Sequence, residues 1–279
     1  MTALDRIHTW PTEHASAVVV GPDGVIATAG DQHHVYRLAS ISKTIAAWAV
    51  LVAVEEGTVR LDDAVGQPGC TLRHLLAHAG GYPFDGREPI APPGQRRVYS
   101  NAGIEMAAEH LAAAAGMSFA TYTDEAVLGP LGMDSTDLRE SPAHGMWSTT
   151  ADLALFAAEL LTPRLVSAAT ANAATTAAFP TLSGIVPGIG RFDPCPWGLG
   201  FEIRGHKQPH WTGTANSPDT FGHFGGAGTF LWVDPGAVHH EALACVALTD
   251  RPFDDWAAEA LVHWPELSDA VLREQRGAM

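Results

Sequence analysis

The sequence predicts an α+β fold: an antiparallel sheet flanked by helices, with a helical lobe inserted into it. Three observations predict it. Strand-patterned segments occur at both ends of the 279-residue chain, an alanine-rich helical stretch from about Leu61 to Phe179 separates them, and turn sequences join the strands in ways that suit antiparallel pairing. The expected division is an α/β lobe of residues 1–60 and 186–279, a helical lobe of residues 61–185, and an active site between the two.

Taken in order, Ala15–Val20 and Val25–Ala29 flank the turn Gly21-Pro22-Asp23-Gly24 and predict a hairpin. Val35–Leu38 fits either a short strand or the approach to a helix. The run Ile45–Val54 is wholly apolar and closed by Glu55-Glu56-Gly57, which predicts a helix over Ile41–Glu56, buried on all sides and stopped by Gly57. Further helices are expected at Leu72–His78 behind Thr71, at Ala102–Ala115 behind Ser100 or Asn101, and at Ala151–Leu161 behind a capping-box pattern, Thr149-Thr150-Ala151-Asp152. The Gly- and Pro-rich stretch Gly80–Val98 reads as a long loop, and loops of that length inside a compact domain are usually functional. Strands are expected again at Gly198–Arg204, Gly228–Val233 and Ala242–Thr249, the last two joined by the turn Asp234-Pro235-Gly236. A final helix, Asp254–His263, is placed to cover the sheet.

Composition narrows the function. A net charge of −15 argues against nucleic acid and anionic membranes as partners, since both require basic patches. Cys70, Cys195 and Cys245 are odd in number and lack CxxC spacing, so neither a disulfide framework nor a zinc site is expected. The pairs His33-His34 and His239-His240 diverge on a strand and no HExxH occurs, so no metal and no cofactor are expected. The N-terminal segment carries charges and a proline where a signal peptide needs an apolar core, which points to a cytoplasmic location.

Only two lysines occur among sixteen basic residues, and one, Lys43, stands three residues after Ser40 in Ser40-Ile41-Ser42-Lys43. A partly buried ammonium can lose its proton and act as a base, whereas arginine stays charged. On a helix the i, i+3 spacing puts Ser40 and Lys43 on one face, while Ser42 lies roughly 200° around from Ser40. Ser40 is therefore the better nucleophile candidate.

Two further elements follow in order: Val98-Tyr99-Ser100-Asn101 where the long loop meets a helix, and Gly222-His223-Phe224-Gly225-Gly226 before a strand. Ser-x-x-Lys, Tyr-x-Asn and His-x-Gly in this order resemble the serine β-lactamase-like family, especially its class C β-lactamase, DD-peptidase and family VIII carboxylesterase branches. The blocks Arg37–Thr44, Leu75–Gly81, Gly145–Thr149 with Asp152-Leu153, and Trp232–Pro235 extend the likeness. The resemblance implies a β-lactamase/transpeptidase-like fold and an acyl-enzyme mechanism. It makes Ser40 the nucleophile, Lys43 its base partner and Tyr99 the proton shuttle. Asn101 would contact Lys43 and the substrate, His223 and Gly225 would line the substrate site, and the backbone N–H groups of Ser40 and Gly226 would form the oxyanion hole. No Gly-x-Ser-x-Gly elbow supports a rival hydrolase architecture.

The third motif departs from the Lys-Thr-Gly typical of β-lactamases, whose fixed positive charge helps hold the antibiotic's carboxylate. A histidine titrating near pH 6.5 is mostly neutral at pH 7, and it predicts carboxylate recognition that improves as pH falls from about 8 to about 6. The expected activity is therefore that of a carboxylesterase on small esters or amides. The alternatives are a penicillin-recognising DD-peptidase or weak β-lactamase and, from another class, a non-catalytic ligand-binding relative. The intact Ser40, Lys43 and Tyr99 speak against the last. Oligomeric state and acyl preference are not legible in the sequence.

Overall fold

A computed structural model describes residues 2–236 and 241–277, with side chains as far as Gln275. A hairpin of β1 (Ala15–Gly21) and β2 (Gly24–Ala29) leads through β3 (Tyr36–Arg37) and a 3-10 turn, Ala39–Ile41, into α1 (Ser42–Glu55). The middle of the chain carries α2 (Leu72–Leu76), α3 (Asn101–Ala115), α4 (Phe119–Thr123) and α5 (Gly129–Leu131). It continues through β4 (Asp137–Leu138), β5 (Met146–Ser148), α6 (Thr150–Leu161) and α7 (Ala168–Thr175). A small hairpin, β6 (Gly184–Val186) with β7 (Gly190–Phe192), precedes β8 (Glu202–Ile203), β9 (Phe221–Gly225), β10 (Thr229–Asp234) and β11 (Leu243–Thr249). The closing helix is α8 (Ala257–Gly277).

The main sheet is antiparallel, in the order β2-β1-β11-β10-β9-β8, so strands from both ends of the chain share it, as the α+β expectation required. Its central strands are buried on both faces, which is why they read as near-continuous apolar runs. Alternation along each strand divides the core. Val18, Val20, Leu231, Val233, Ala244 and Val246 join α1 and the middle helices on one face. Ala17, Val19, Phe230, Trp232, Cys245 and Ala247 face the other way, toward the N-terminal turn residues Leu4 and Ile7 and toward Trp264 and Leu267 of α8. Helix α1 lies inside the first cluster with every residue from Ser42 to Ala53 buried.

Several elements differ from expectation for identifiable reasons. Phe221–Gly225, read as a glycine-rich entry, is itself strand β9, paired to both β8 and β10. Gly222 is required there because a Cβ would meet the Leu231 carbonyl at 2.1 Å. The strand expected over Gly198–Arg204 shrinks to β8, because Gly200 turns at φ +89 with its backbone against Ala47 of α1. β3, within the Val35–Leu38 segment that fitted a short strand, joins β5 and β4 in a second, three-stranded sheet, and the latter two lie within the stretch read as helical. Each is two or three residues long, too short to show alternation. Thr149 caps α6 by accepting from Asp152 N, but the box is not closed: the Asp152 carboxylate instead accepts from Ser135 N and Thr136 Oγ1. The final helix begins later and runs past Pro265, held by buried Trp264, Leu267, Val271 and Leu272. The β10–β11 connection beyond Gly236 and the pair His239-His240 lie outside the described residues. No described helix is long and apolar enough to cross a membrane.

Candidate active site

Ser40 sits in the 3-10 turn that opens α1, and the residue before it, Ala39, has φ +47. An L-residue in this region costs about 1–3 kcal/mol and persists only where its surroundings over-determine it. Here they do. Leu38 N donates to Met146 O at 2.9 Å, Thr229 Oγ1 donates to Leu38 O at 3.0 Å, and Gly225 packs so close that a Cβ would meet Leu38 O at 2.3 Å. The corner leaves Ser40 lining a cavity of about 180 Å³ shared with Tyr99, Trp197, His223 and Gly226. Ser42 points away. It is fully buried and its Oγ accepts from Met146 N at 3.0 Å.

Lys43, the second residue of α1, is fully buried, with Nζ 3.2 Å from Ser40 Oγ, 2.7 Å from Asn101 Oδ1 and 2.8 Å from Ala143 O. The last two atoms only accept hydrogen bonds. A neutral amine that donates both its hydrogens to them keeps its lone pair for the third direction, toward Ser40. Burial lowers the Lys43 pKa to about 7, with Glu105 and Asp85 pulling it back up. The neutral form is therefore well populated near neutral pH. Asn101 is the first residue of α3; Ser100 is the N-cap, accepting from Gly103 N, which leaves the Asn101 side chain free for Lys43 and for Asp85 Oδ1 at 3.1 Å.

Tyr99 precedes that cap. Its ring lies under the Lys43 ammonium, 4.8 Å from Nζ to centroid, and its hydroxyl is 3.3 Å from His223 Nε2. His223 Nδ1 is 2.6 Å from Phe224 O, which can only accept, so Nδ1 carries the hydrogen and Nε2 accepts from Tyr99. Burial raises the Tyr99 pKa, the Ser40 hydroxyl opposing it, so the phenol stays protonated at neutral pH. It suits a proton relay and not a resting phenolate.

His223 differs from expectation. Burial, and then the Lys43 charge, lower its pKa to about 4, so it is neutral throughout pH 6–8 and cannot supply a pH-gated grip on a carboxylate there. It lines the cavity, but both ring nitrogens are already engaged. Gly225, expected at the substrate, does not line the cavity; it permits the close approach to Leu38. Gly226 does line it, and among the described residues neither the Ser40 nor the Gly226 amide donates a hydrogen bond.

Three residues not singled out from the sequence complete the site. Trp197 and Phe84 line the cavity, and His78 packs on both Tyr99 and Trp197. His78 Nδ1 accepts from Ser100 N at 3.2 Å and its carbonyl from Val98 N at 2.8 Å, which fixes the segment that presents Tyr99. Phe84 belongs to the long Gly/Pro loop that sequence reasoning marked as functional; Trp197 carried no signal. The other lysine, Lys207, is buried 3.0 Å from Glu202 and away from the cavity lining. The exposed group Glu13, His14 and Asp250 is close enough to share an ion, but none of the three lines the cavity.

The profile of the Beta-lactamase family matches residues 14–264. A solved structure described as a beta-lactamase (Mb2281c) from Mycobacterium bovis is 51% identical, with 99% of this chain and 100% of that chain covered at a TM-score of 0.94. EstCE1, described as a hydrolase with promiscuous acyltransferase activity, shares the fold at 17% identity and a TM-score of 0.75, covering 97% and 96% of the two chains. Penicillin-binding protein 4* of Bacillus subtilis (strain 168) is 28% identical over 134 residues, which span 36% of this chain and 30% of that protein.

Proposed function

This chain belongs to the Beta-lactamase family, and from that premise we propose that it is a serine hydrolase working through an acyl-enzyme on Ser40, with small carboxylic esters or amides as substrates. The observation that carries the proposal is the Lys43 environment: a buried amine 3.2 Å from Ser40 Oγ, with two acceptors fixing its hydrogens and a pKa brought down to about 7. A serine hydroxyl needs such a base to become a nucleophile.

In the reaction, the Ser40 proton passes to Lys43 Nζ as Oγ bonds to the substrate carbonyl carbon. The amides of Ser40 and Gly226 receive the oxyanion. The leaving oxygen or nitrogen takes a proton from Tyr99, which is resupplied from Lys43. Water then attacks the acyl carbon with Lys43 again accepting a proton, and Lys43 returns it to Ser40 Oγ as the Oγ–acyl bond breaks and the acid leaves. His223 and His78 hold Tyr99 in place.

Ester hydrolysis is favoured over β-lactam hydrolysis by the cavity wall. Apolar Phe84, Trp197, Phe224 and Phe253 dominate it, no arginine or lysine lines it among the described residues, and Asp254 does. A carboxylate next to the scissile bond meets no counter-charge there except Lys43. The 51% identity to a protein described as a beta-lactamase keeps β-lactam turnover as the second reading. The test is kcat/KM for short-chain p-nitrophenyl esters against a chromogenic cephalosporin. The ester reading expects the esters to be turned over at least about tenfold more efficiently; a cephalosporin preferred over every ester contradicts it.

A further inference from the structure

A second cavity, of about 440 Å³, adjoins the catalytic one and shares Phe84, Tyr99 and Pro187 with it, but is lined by neither Ser40 nor His223. Its walls combine two features that are unusual in this molecule. Of the nine large apolar side chains left exposed among the described residues, three border it: Phe84 at 49%, Ile90 at 53% and Ile185 at 55% exposure. Solvated apolar surface gathered at one concavity marks a binding site more than scattered surface does. The second feature is charge. In a chain with 31 acidic and 16 basic residues, no carboxylate lines this groove among the described residues, while three arginines do.

The arginines are not equivalent. Arg97 is buried and its guanidinium is spent on the carbonyls of Ala77, Ala178, Phe179 and Cys195, anchoring the groove floor. Arg96 is exposed and donates one bond, to Ile90 O at 3.2 Å. Arg191 is exposed, and among the described residues neither it nor Arg96 has a carboxylate partner. Arg191 stands directly opposite Ile185 in the β6–β7 hairpin, so the two side chains rise from one face, an apolar contact beside a cation. Guanidinium groups suit planar bidentate anions.

We propose that this groove is an acyl-chain subsite for esters or amides whose acyl group ends in a carboxylate. The methylenes lie along Phe84, Ile90 and Ile185, and the carboxylate meets Arg96 and Arg191. The assignment rests on the Ser40 hydrolase reading and adds the substrate class to it. A carboxylate here is set apart from the reacting carbonyl, unlike one adjoining a β-lactam ring.

Two measurements test it. The first is kcat/KM for mono-p-nitrophenyl esters of dicarboxylic acids of increasing length, each compared with its methyl-capped counterpart. At the best length the carboxylate-ended probe is expected to lead by about tenfold. That lead falls with added salt and is lost in the Arg96→Ala/Arg191→Ala double variant. The second is calorimetric binding of the corresponding unreactive anilides to Ser40→Ala protein, which needs no turnover and expects the same preference. Equal binding of the two ends, or a carboxylate preference that survives both arginine substitutions, overturns the subsite. If the anilides bind with the expected preference while the wild type hydrolyses no ester, the subsite stands and the hydrolase reading fails.

Discussion

Tyr99 donates its phenolic hydrogen to Nε2 of His223 across 3.3 Å. The donor direction follows from the Phe224 carbonyl, which takes the hydrogen on Nδ1. Burial lowers the His223 pKa to about 4, so the ring is neutral near pH 7, its Nε2 is left as an acceptor, and His223 orients Tyr99. His223→Phe keeps the ring volume but removes the acceptor, and is expected to lower kcat for p-nitrophenyl butyrate by about tenfold or more. Because His223 already titrates near 4, the shape of the pH profile above 6 should not change. A profile that loses an ionisation between pH 6 and 8 in this variant contradicts the assignment.

His223→Lys tests the same geometry with opposite electrostatics. A second ammonium near Lys43 disfavours the charged form of Lys43 and lowers its pKa further. The acidic limb of kcat/KM should then move to lower pH than in the wild type. A limb that stays in place or moves up shows that position 223 is not electrostatically coupled to Lys43.

The wild-type limb itself follows from Lys43. The base works only when neutral, so kcat/KM should rise with pH through about 7 and then level off. Lys43→Arg should be nearly as damaging as Lys43→Ala, since a guanidinium keeps the charge but accepts no proton. The check is kcat for both variants, with folding verified by circular dichroism; near wild-type kcat in Lys43→Arg would mean a fixed-charge role.

Burial of Lys43 also has a stability signature. Its folded pKa is lowered from 10.5 to about 7, so between those values the unfolded chain holds a proton that the folded chain lacks. Wild-type stability therefore rises with pH across that window, by at most about 5 kcal/mol. Lys43→Met lacks this contribution, so its stability relative to wild type should be greatest below pH 7 and fall steadily above it. Urea midpoints of both proteins from pH 6 to about 9 measure the slope; parallel curves would show that Lys43 titrates normally.

Lys207 has a different task. It is buried 3.0 Å from Glu202, whose carboxylate also accepts from Trp211 Nε1 at 2.6 Å. Burial pushes the Glu202 pKa up, but the charge of Lys207, with His210 and Trp211, more than offsets it and holds the carboxyl well below its ordinary range. Lys207→Met strands that charge and should destabilise by about 3–5 kcal/mol, with Lys207→Met/Glu202→Gln recovering part of the loss. Thermal unfolding measures both; a single variant as stable as wild type contradicts a paired role.

The legible parts of the fold were those with long apolar periodicity or local punctuation. The β1–β2 hairpin, the all-round buried α1 and the cap of α3 announce themselves within a few residues. β9 did not, because Gly222 and Gly225 weaken its local strand signal while their need arises from Leu231 and Leu38, distant in sequence. α8 runs through Pro265 on the strength of tertiary packing. In the site, Ser40, Lys43, Tyr99 and Asn101 could be found because spacing brings two of them onto one turn and motif order suggests the others. The state of His223 could not: its lowered pKa comes from burial and from Lys43, neither of which a sequence displays. Trp197 and Phe84 line the cavity through folding alone.

The central claim, an acyl-enzyme on Ser40, is tested most directly by trapping it. The protein is incubated with a fluorophosphonate and, separately, with a slowly deacylating p-nitrophenyl ester, then digested and mapped by mass spectrometry. The account predicts one adduct per chain, on Ser40, absent from Ser40→Ala, together with a loss of ester hydrolysis in that variant of about 10³-fold or more. An adduct on Ser42, or ester hydrolysis that survives in Ser40→Ala, would contradict it.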